Sequence, residues 1–178
     1  TNEYEVSETI KQYMTQPDYP KYFVHTAALT KPMNINDRNP IMSLSTNIVG
    51  TANVAKICHK YGIKFIYIST DFVYSSKHKV NEESGLKPSL ILRCSLCDIP
   101  FRHKLAFDDV YRNSIIHKDV AKIILKVKDE TGVINVGGKY QSVFDFVSNH
   151  QDVNKASGKN IAPSLSLNIE KLKELINE

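Results

Sequence analysis

The stretch that decides the fold is Phe65-Ile66-Tyr67-Ile68-Ser69-Thr70-Asp71-Phe72-Val73-Tyr74, in which an apolar run ends abruptly at two hydroxyls and a carboxylate. An apolar, β-branched and aromatic run of this kind predicts a strand buried on both faces of a parallel sheet. In such sheets, ligands bind beyond the carboxyl ends of the strands. We therefore expect Ser69, Thr70 and Asp71 at a ligand site. A strand that merely ends in turn-forming residues is an equally supported alternative from this stretch alone.

Length and composition place the chain among ordinary soluble globular proteins. Its 178 residues fit one domain with a sizeable core, and contents of 42% hydrophobic and 24% charged residues are typical. No apolar run has the length of a membrane span, and no signal-peptide pattern opens the chain. The net charge of +4 is spread over helix-spaced lysines, which usually form a solvated face. We expect a cytoplasmic protein that binds neither a membrane nor nucleic acid.

Three cysteines, Cys58, Cys94 and Cys97, do not suggest a disulfide framework. Cys94 and Cys97 have Cys-x-x-Cys spacing, but they lie in or just after a predicted strand. A redox pair usually lies at a helix N-terminus, and a zinc site needs a second pair of ligands. Since the sequence indicates neither, we expect reduced cysteines with a structural role and no metal site.

The first part of the chain begins with a predicted helix over residues 5–16, with Ser7 as its cap, followed by a strand at Tyr22–His25. The small residues Ala27 and Ala28 come shortly after this strand. Small residues there allow a flat ligand to approach the backbone closely. Taken alone, they are better explained by tight core packing.

A second helix is predicted from about Ile41 to Tyr61, ending at Gly62 as a C′ glycine. Asn47 and Gly50 interrupt it, and a mid-helix glycine costs roughly 1 kcal/mol. Both residues are explained if the helix lies tightly against the sheet and Asn47 bonds a group there. An exposed asparagine and an ordinary glycine are the equal alternative. The order helix, strand, helix, strand predicts a parallel α/β sheet.

The alternation then breaks, because residues 75–89 have no helical period although Leu90–Arg93 is again a predicted buried strand. Parallel neighbours need a crossover of a dozen or more residues, usually a helix. The rest of the chain predicts, in order, a loop over residues 97–109, a strand at 114–116, a helix at 118–128, a strand at 133–136, a helix from the cap Ser142 to Val147, irregular residues 148–163 and a helix at about 169–176.

Several motifs together resemble the extended short-chain dehydrogenase/reductases. They include His25-Thr26-Ala27-Ala28, Asn47-Ile48-Val49-Gly50-Thr51, Ser69-Thr70-Asp71-Phe72-Val73-Tyr74, His117-Lys118-Asp119-Val120-Ala121 and Gly132-Val133-Ile134-Asn135-Val136-Gly137-Gly138. The third is similar to the Ser-Thr-Asp-Tyr-Val-Phe strand end of the dTDP-4-dehydrorhamnose reductase branch, with phenylalanine in place of the usual tyrosine. The order and spacing of the motifs, from about residue 4 to the C-terminus, make the combination more specific than any one of them.

The resemblance implies a Rossmann-like parallel sheet with flanking helices and a small C-terminal substrate-binding region. Residues 1–93 would form an incomplete NAD(P)-binding core, and residues 94–178 would supply the substrate-binding region and the remaining sheet elements. Thr70 would be the catalytic hydroxyl that bonds the substrate carbonyl, and Asp71 and Phe72 would bind the sugar. The residues implied to bind NADP or NAD are Ala27, Ala28, Asn47 and Ser69.

Two features of the family are absent from the 178 residues. The chain has no G-x-x-G-x-x-G loop for the pyrophosphate, and none of its nine tyrosines has lysine four residues later, as the family's proton-donating Tyr-x-x-x-Lys requires. We interpret the chain as part of a longer protein from which segments are missing, one of them between Ser89 and Leu90. A naturally truncated or degenerate protein is the alternative.

The resemblance predicts an NAD(P)H-dependent reductase that acts on the 4-keto group of a nucleotide-linked 6-deoxysugar, as in dTDP-rhamnose biosynthesis. A non-catalytic binding or regulatory subunit on the same fold is one alternative, and a sugar-nucleotide epimerase or dehydratase is another. The predicted partner is the nucleotide-sugar substrate, and the oligomeric state stays open, with a homodimer as one option. Since adjacent strands lie about 4.8 Å apart, we expect the Thr70 hydroxyl in a cleft near Ala27 and Ala28.

Overall fold

The computed structural model describes residues 3–29, 39–74, 89–158 and 164–177. The chain divides into two compact units, Thr1–Tyr67 and Ile68–Glu178, which are described in turn. The predicted functional division near residue 93 concerns which part binds cofactor and which binds substrate, and it stays a prediction.

The first unit alternates helices with two parallel strands. Strands β1 and β2 pair in parallel, with Tyr22 opposite Lys64 and His25 opposite Tyr67. The elements, in chain order, are α1 (Glu3–Met14), β1 (Tyr22–His25), α2 (Pro40–Leu44), a π-helical segment (Ser45–Gly50), α3 (Thr51–Lys60) and β2 (Lys64–Thr70), whose last three residues belong to the second unit.

Helices α1 and α3 enclose the core of the first unit. The buried side chains of this core are Ile10, Val54, Ile57, Cys58, Ile63 and Phe65. The helix predicted at 41–61 is confirmed as one helical run, although it contains the π-helical segment. Gly62 follows with φ of 66°, a left-handed conformation that glycine adopts without steric cost, so its predicted C′ role is confirmed. The predicted cap Ser7 is wrong, because α1 begins at Glu3 and Ser7 lies inside it.

The second unit contains a parallel pair, two short strand pairs and three helices among its described residues. Strands β3 and β6 pair in parallel with Leu90 opposite Gly132, β4 pairs in parallel with β8, and β5 pairs antiparallel with β7. The elements are β3 (Leu90–Cys94), β4 (Leu105–Phe107), β5 (Tyr111–Arg112), α4 (His117–Val127), β6 (Gly132–Val136), β7 (Gln141–Ser142), α5 (Val143–Ser148), β8 (Asn154–Ala156) and α6 (Glu170–Ile176).

Three sequence predictions in the second unit need correction. The segments 97–109 and 148–163 were expected to be irregular, but each contributes one short strand, β4 and β8. The strand expected at 114–116 is reduced to a single bridge between Ile115 and Leu96. Residues 75–88, where a crossover was expected, lie outside the described residues.

The strand predictions at Leu90–Arg93 and Val133–Val136 are confirmed, and Leu90, Leu92, Ile134 and Val136 are fully buried, as expected for the interior of an α/β protein. The predicted α/β class with parallel strands and flanking helices is therefore confirmed. Among the described residues, no helix combines the length and apolarity that crossing a membrane requires.

Candidate functional site

Strand β2 ends in a capped turn that fixes the side chains of its polar residues. Thr70 is the last residue of the strand, and a 3₁₀ turn, Asp71–Val73, follows it. The Thr70 hydroxyl accepts a hydrogen bond from the Phe72 N–H at 3.2 Å, and the Tyr74 N–H closes the turn onto the Asp71 carbonyl at 3.0 Å. Thr70 is exposed, whereas Ser69 before it is half-buried.

The carboxylate of Asp71 is the centre of a buried polar cluster, although Asp71 follows an exposed residue. Asp71 is only 2% exposed. Its Oδ2 accepts a hydrogen bond of 2.7 Å from the Ser95 hydroxyl and pairs with Nη1 of Arg112 at 3.3 Å. Its Oδ1 accepts a longer bond of 3.3 Å from the Thr70 hydroxyl. A buried carboxylate needs such partners, because removing a charge from water costs several kcal/mol when it is left unpaired.

Arg112 connects this cluster to an exposed aromatic ring. Its guanidinium carbon lies 4.6 Å from the centre of the Phe72 ring, within the range of a cation–π contact. Phe72 is 72% exposed. The end of β2 therefore presents an accessible ring backed by a guanidinium, beside the Thr70 hydroxyl.

A second polar chain begins at Tyr74, the residue after the turn. Its hydroxyl donates to Oδ1 of the fully buried Asn135 at 2.8 Å, and Nδ2 of Asn135 donates to the Asn168 carbonyl at 3.1 Å. The Arg93 guanidinium lies 4.8 Å from the centre of the Tyr74 ring. Among the described side chains at this strand end, two arginines and one carboxylate give a positive net charge, which favours an anionic ligand.

The end of β1 in the first unit is built differently, around backbone contacts. Ala27 and Ala28 are exposed, and the backbone of Leu29 is clamped by the side chain of Asn47. The Leu29 N–H donates to Oδ1 of Asn47 at 2.7 Å, and Nδ2 of Asn47 donates to the Leu29 carbonyl at 3.3 Å. Asn47 lies in the π-helical segment, a rare geometry that often marks functional sites. Of the two alternatives for Asn47, a bonded and an exposed side chain, the structure shows the bonded one, although its partner Leu29 lies after β1 and not in the sheet.

His25, the last residue of β1, is buried in the first unit. Its Nε2 lies 3.0 Å from the Thr51 hydroxyl, and its ring contacts the rings of Phe65 and Tyr67, each with centres 5.7 Å away. Burial lowers the pKa of His25, because the low-polarity surroundings disfavour the charged imidazolium.

The structure thus groups the predicted site residues by unit. Ser69, Thr70, Asp71 and Phe72 lie together at the end of β2. In the first unit, Asn47 holds the residue directly after Ala28. The catalytic, substrate-binding and cofactor-binding roles of these residues stay predictions, as does the expected proximity of Thr70 to Ala27 and Ala28.

Sequence reasoning missed three members of the polar clusters, Ser95, Arg112 and Asn135. Two of them carried a usable signal. Ser95 directly follows strand β3, and the rule that selected Thr70 at the end of β2 would have selected it too. Asn135 is a polar residue inside the otherwise apolar run Val133–Val136. Arg112 gave no comparable signal, since it lies in a two-residue strand.

The cysteines behave as structural residues. Cys58 and Cys94 are buried and Cys97 is half-buried, and all three are free thiols. Burial raises the pKa of Cys94 to about 12, with a smaller contribution from the negative charge of Asp71, and burial raises the pKa of Cys97 to about 11. Since the thiolate is the reactive form, neither thiol suits redox chemistry.

Comparison with known proteins agrees with this architecture. Residues 2–89 match the family described as the RmlD substrate binding domain. No curated protein matches the chain.

Solved structures similar to the chain include two dTDP-4-dehydrorhamnose reductases. The enzyme from Clostridium acetobutylicum has 18% identity and a TM-score of 0.75, with 99% of this chain and 79% of that chain covered. The enzyme from Bacillus anthracis, in complex with NADP, has 18% identity and a TM-score of 0.76, with coverage of 98% and 79%. A UDP-glucose 4-epimerase from Thermotoga maritima, with UDP-glucose, has 19% identity and a TM-score of 0.68, with coverage of 97% and 74%. At these identities the likeness establishes the shared Rossmann-like fold.

Proposed function

We propose that the chain belongs to the RmlD-type branch of the extended short-chain dehydrogenase/reductases and that it forms part of a nicotinamide-dependent reductase of a sugar nucleotide. The substrate we propose is a nucleotide-linked 4-keto-6-deoxysugar, of the dTDP-4-dehydrorhamnose type. The two reductase structures compared above bear the name of dTDP-4-dehydrorhamnose reductase, and one of them is in complex with NADP.

The observation that carries the proposal is Thr70, an exposed residue at the carboxyl end of β2 whose hydroxyl is bonded to Asp71. Ligands bind beyond this end of parallel strands. The bond to Asp71 is long, at 3.3 Å, so it is weak enough for the hydroxyl proton to turn toward a substrate carbonyl oxygen. A positioned hydroxyl stabilises negative charge that develops on this oxygen during reduction.

The neighbours of Thr70 each have a proposed role that follows from their contacts. Asp71 is buried, accepts a hydrogen bond from Ser95 and pairs with Arg112. It therefore orients the strand end and holds the guanidinium in place. Arg112 offsets the negative charge of Asp71, so that an anionic group can approach Thr70. Phe72 offers an apolar ring for one face of the sugar or its nucleotide. We propose that Asp71 acts on the substrate mainly through Arg112 and Thr70, because its own oxygens are occupied.

One feature of the end of β1 supports a nicotinamide cofactor there. Ala27 and Ala28 are exposed and carry no side-chain atom beyond Cβ, so a flat ring can approach their backbone. Asn47 fixes Leu29 directly after them. We propose that these residues, with Ser69, hold NADP or NAD. When bound, the cofactor supplies the hydride, while Thr70 stabilises the oxygen that becomes the alcohol.

The test is a spectrophotometric assay of the full-length protein with NADH or NADPH and dTDP-4-dehydro-6-deoxysugar substrates, with the product identified by NMR. We expect cofactor oxidation coupled to formation of the 4-hydroxy sugar. A protein that interconverts two epimers with no net cofactor oxidation would be an epimerase, and the reductase proposal would be wrong.

A second candidate, a non-catalytic binding subunit on the same fold, is favoured by one observation: no tyrosine in the 178 residues has lysine four residues later. This candidate predicts that the full-length protein binds NADPH or a sugar nucleotide in calorimetry but never turns over. An intact-mass measurement helps to separate the two. A mass well above the 20.2 kDa of these residues leaves room for a proton donor, and a mass equal to it favours the binding subunit.

A further inference from the structure

A cleft of about 840 Å³ lies in the second unit, between helices α4 and α6 and the segment that follows β6. This volume is within the range of small-molecule sites, about 300–1,000 Å³. None of the strand-end residues Thr70, Asp71, Ser95 and Arg112 lines it. The roles proposed above for these residues therefore leave the cleft unexplained.

The floor of the cleft is apolar and already part of the folded core. Ile123 on α4, Phe146 on α5 and Leu172 on α6 line it, and each is at least 91% buried. Leu167, in the segment before α6, adds a further buried aliphatic side chain. A ligand that occupies the cleft must therefore present an apolar face to this floor.

The rim of the cleft is cationic on three separate elements. Lys122 and Lys126 come from α4, Lys173 from α6 and Lys139 from the segment after β6. Among the described residues that line the cleft, Asp119 supplies the one carboxylate, and it already pairs with Lys122 at 2.7 Å. The side chains that line the cleft therefore carry a positive net charge, which would attract a negatively charged group to the rim.

The wall between floor and rim is fixed before any ligand binds. The Gly138 N–H donates to the Asn113 carbonyl at 3.0 Å, and the Asn113 side chain bonds the Gly138 carbonyl at 2.9 Å and the Leu167 N–H at 2.8 Å. A Cβ on Gly137 would lie 2.6 Å from the Asn113 carbonyl oxygen, so only glycine permits this approach. Tyr140, 45% exposed, stands beside this wall and adds an accessible aromatic surface.

We propose that this cleft binds a small amphiphilic anion, with a flat apolar group on the floor beside Tyr140 and its acidic group held by the lysines of the rim. The chemistry required is an aromatic or similarly flat ring that carries a phosphate, sulfonate or carboxylate. An acidic segment of a partner protein is the competing occupant, and the experiment distinguishes the two.

The 178 residues contain no tryptophan, so Tyr140→Trp places a fluorescent reporter at the cleft, where this part of the protein has none. The probes are 8-anilinonaphthalene-1-sulfonate, a flat anion, and N-phenyl-1-naphthylamine, which has the same rings without the sulfonate. We expect the anionic probe to quench the introduced tryptophan by energy transfer at a saturable site. Raising the salt concentration from about 0.05 M to about 0.5 M should weaken binding of the anionic probe and leave binding of the neutral probe unchanged.

The decisive comparison combines Tyr140→Trp with Lys126→Gln and Lys173→Gln. We expect the double lysine change to lower the affinity for the anionic probe roughly fivefold to tenfold, as for the loss of two exposed ionic contacts. The affinity for the neutral probe should not change. The matched control is Lys21→Gln with Lys104→Gln, which removes the same charge from exposed sites outside the cleft. This control should bind both probes as the parent does.

Two results would overturn the proposal. One is equal binding of the anionic probe by the cleft variant and the control, because the rim lysines would then have no role. The other is binding of a glutamate-rich amphipathic peptide, lost in the cleft variant, with no quenching by either small probe, which would make the cleft a protein-docking groove. Neither result depends on whether the reductase assay succeeds.

Discussion

The Ser95 hydroxyl donates a hydrogen bond of 2.7 Å to the Asp71 carboxylate, although the two residues are 24 positions apart in the sequence. Both are buried, at 3% and 2% exposure. Each follows the last residue of a β-strand, so the bond joins two strand ends within the second unit. It fixes one oxygen of the carboxylate that also holds Arg112 and Thr70.

Replacing Ser95 with alanine should destabilise the protein by about 1–3 kcal/mol, because a buried carboxylate loses its shortest hydrogen bond. We expect the loss near the lower end, since Arg112 and Thr70 still contact Asp71. Urea unfolding would measure it. Ser148→Ala is the matched control, because the Ser148 hydroxyl also bonds a neighbour, the Asp145 carbonyl at 3.2 Å, but at an exposed site. A Ser95→Ala protein as stable as this control would show that the bond contributes nothing.

The sequence predicted the position of Thr70 but not the cluster around it, and the reason is range. The apolar run before Ser69 is a local pattern that determines where a buried strand ends. The contacts from Asp71 to Ser95 and Arg112 span 24 and 41 residues, and no local pattern encodes them. Strands β4 and β8 were missed for a related reason. Each has three residues, too few to show a period of two, and their pairing alone defines them.

The π-helical segment was predictable in part: the sequence indicated its position but not its geometry. The sequence indicated a helix across Asn47 and identified Asn47 and Gly50 as unusual within it. The clamp on Leu29 explains Asn47. The widened turn itself was not predictable, because helix propensity carries no signal for π-helical geometry. The bonded partner Leu29 is 18 positions away in the sequence, beyond the range of a local helix pattern.

Asn47→Ala should remove both bonds to the Leu29 backbone, whereas Asn47→Asp keeps the acceptor for the Leu29 N–H and loses only the donor. Each bond contributes about 0.5–1.5 kcal/mol, and the better helix propensity of alanine offsets part of the loss. Hydrogen exchange provides a specific measurement. The Leu29 amide should exchange faster in Asn47→Ala than in Asn47→Asp. Equal protection in both variants would contradict the clamp.

His25 should make folding stability depend on pH. Its pKa in the folded protein lies below the ordinary value of 6.5, because burial disfavours the charged ring. As the pH falls through and below 6.5, the unfolded chain binds a proton that the folded chain resists, so stability is present above 6.5 and declines below it. Other groups also titrate, so the readout is the difference between the wild type and His25→Gln. Urea unfolding at pH 8 and at pH 5.5 should show a smaller decline for His25→Gln. An equal decline in both proteins would mean that His25 does not contribute.

Thr70 provides the sharpest test of the proposed reaction, because its hydroxyl has two roles that stability and kinetic measurements can distinguish. It accepts a hydrogen bond from the Phe72 N–H, which caps the turn, and it is the proposed donor to the substrate carbonyl. Thr70→Val preserves the volume and removes both functions, whereas Thr70→Ser retains both. In the full-length enzyme we expect Thr70→Val to lower turnover roughly 10²-fold, as for one oxyanion donor, and Thr70→Ser to retain most activity.

The loss of the cap alone costs about 1 kcal/mol of stability, so unfolding measurements on both variants must accompany the kinetics. A stability loss of that size leaves nearly all of the protein folded and cannot account for a 10²-fold loss of turnover. The two effects therefore separate cleanly. If Thr70→Val loses the expected stability yet turns over like the wild type, the hydroxyl is a turn cap only, and the carbonyl must be polarised by another residue. Arg112 would then be the first to replace, because its guanidinium lies beside the same carboxylate and can also carry a positive charge toward the substrate.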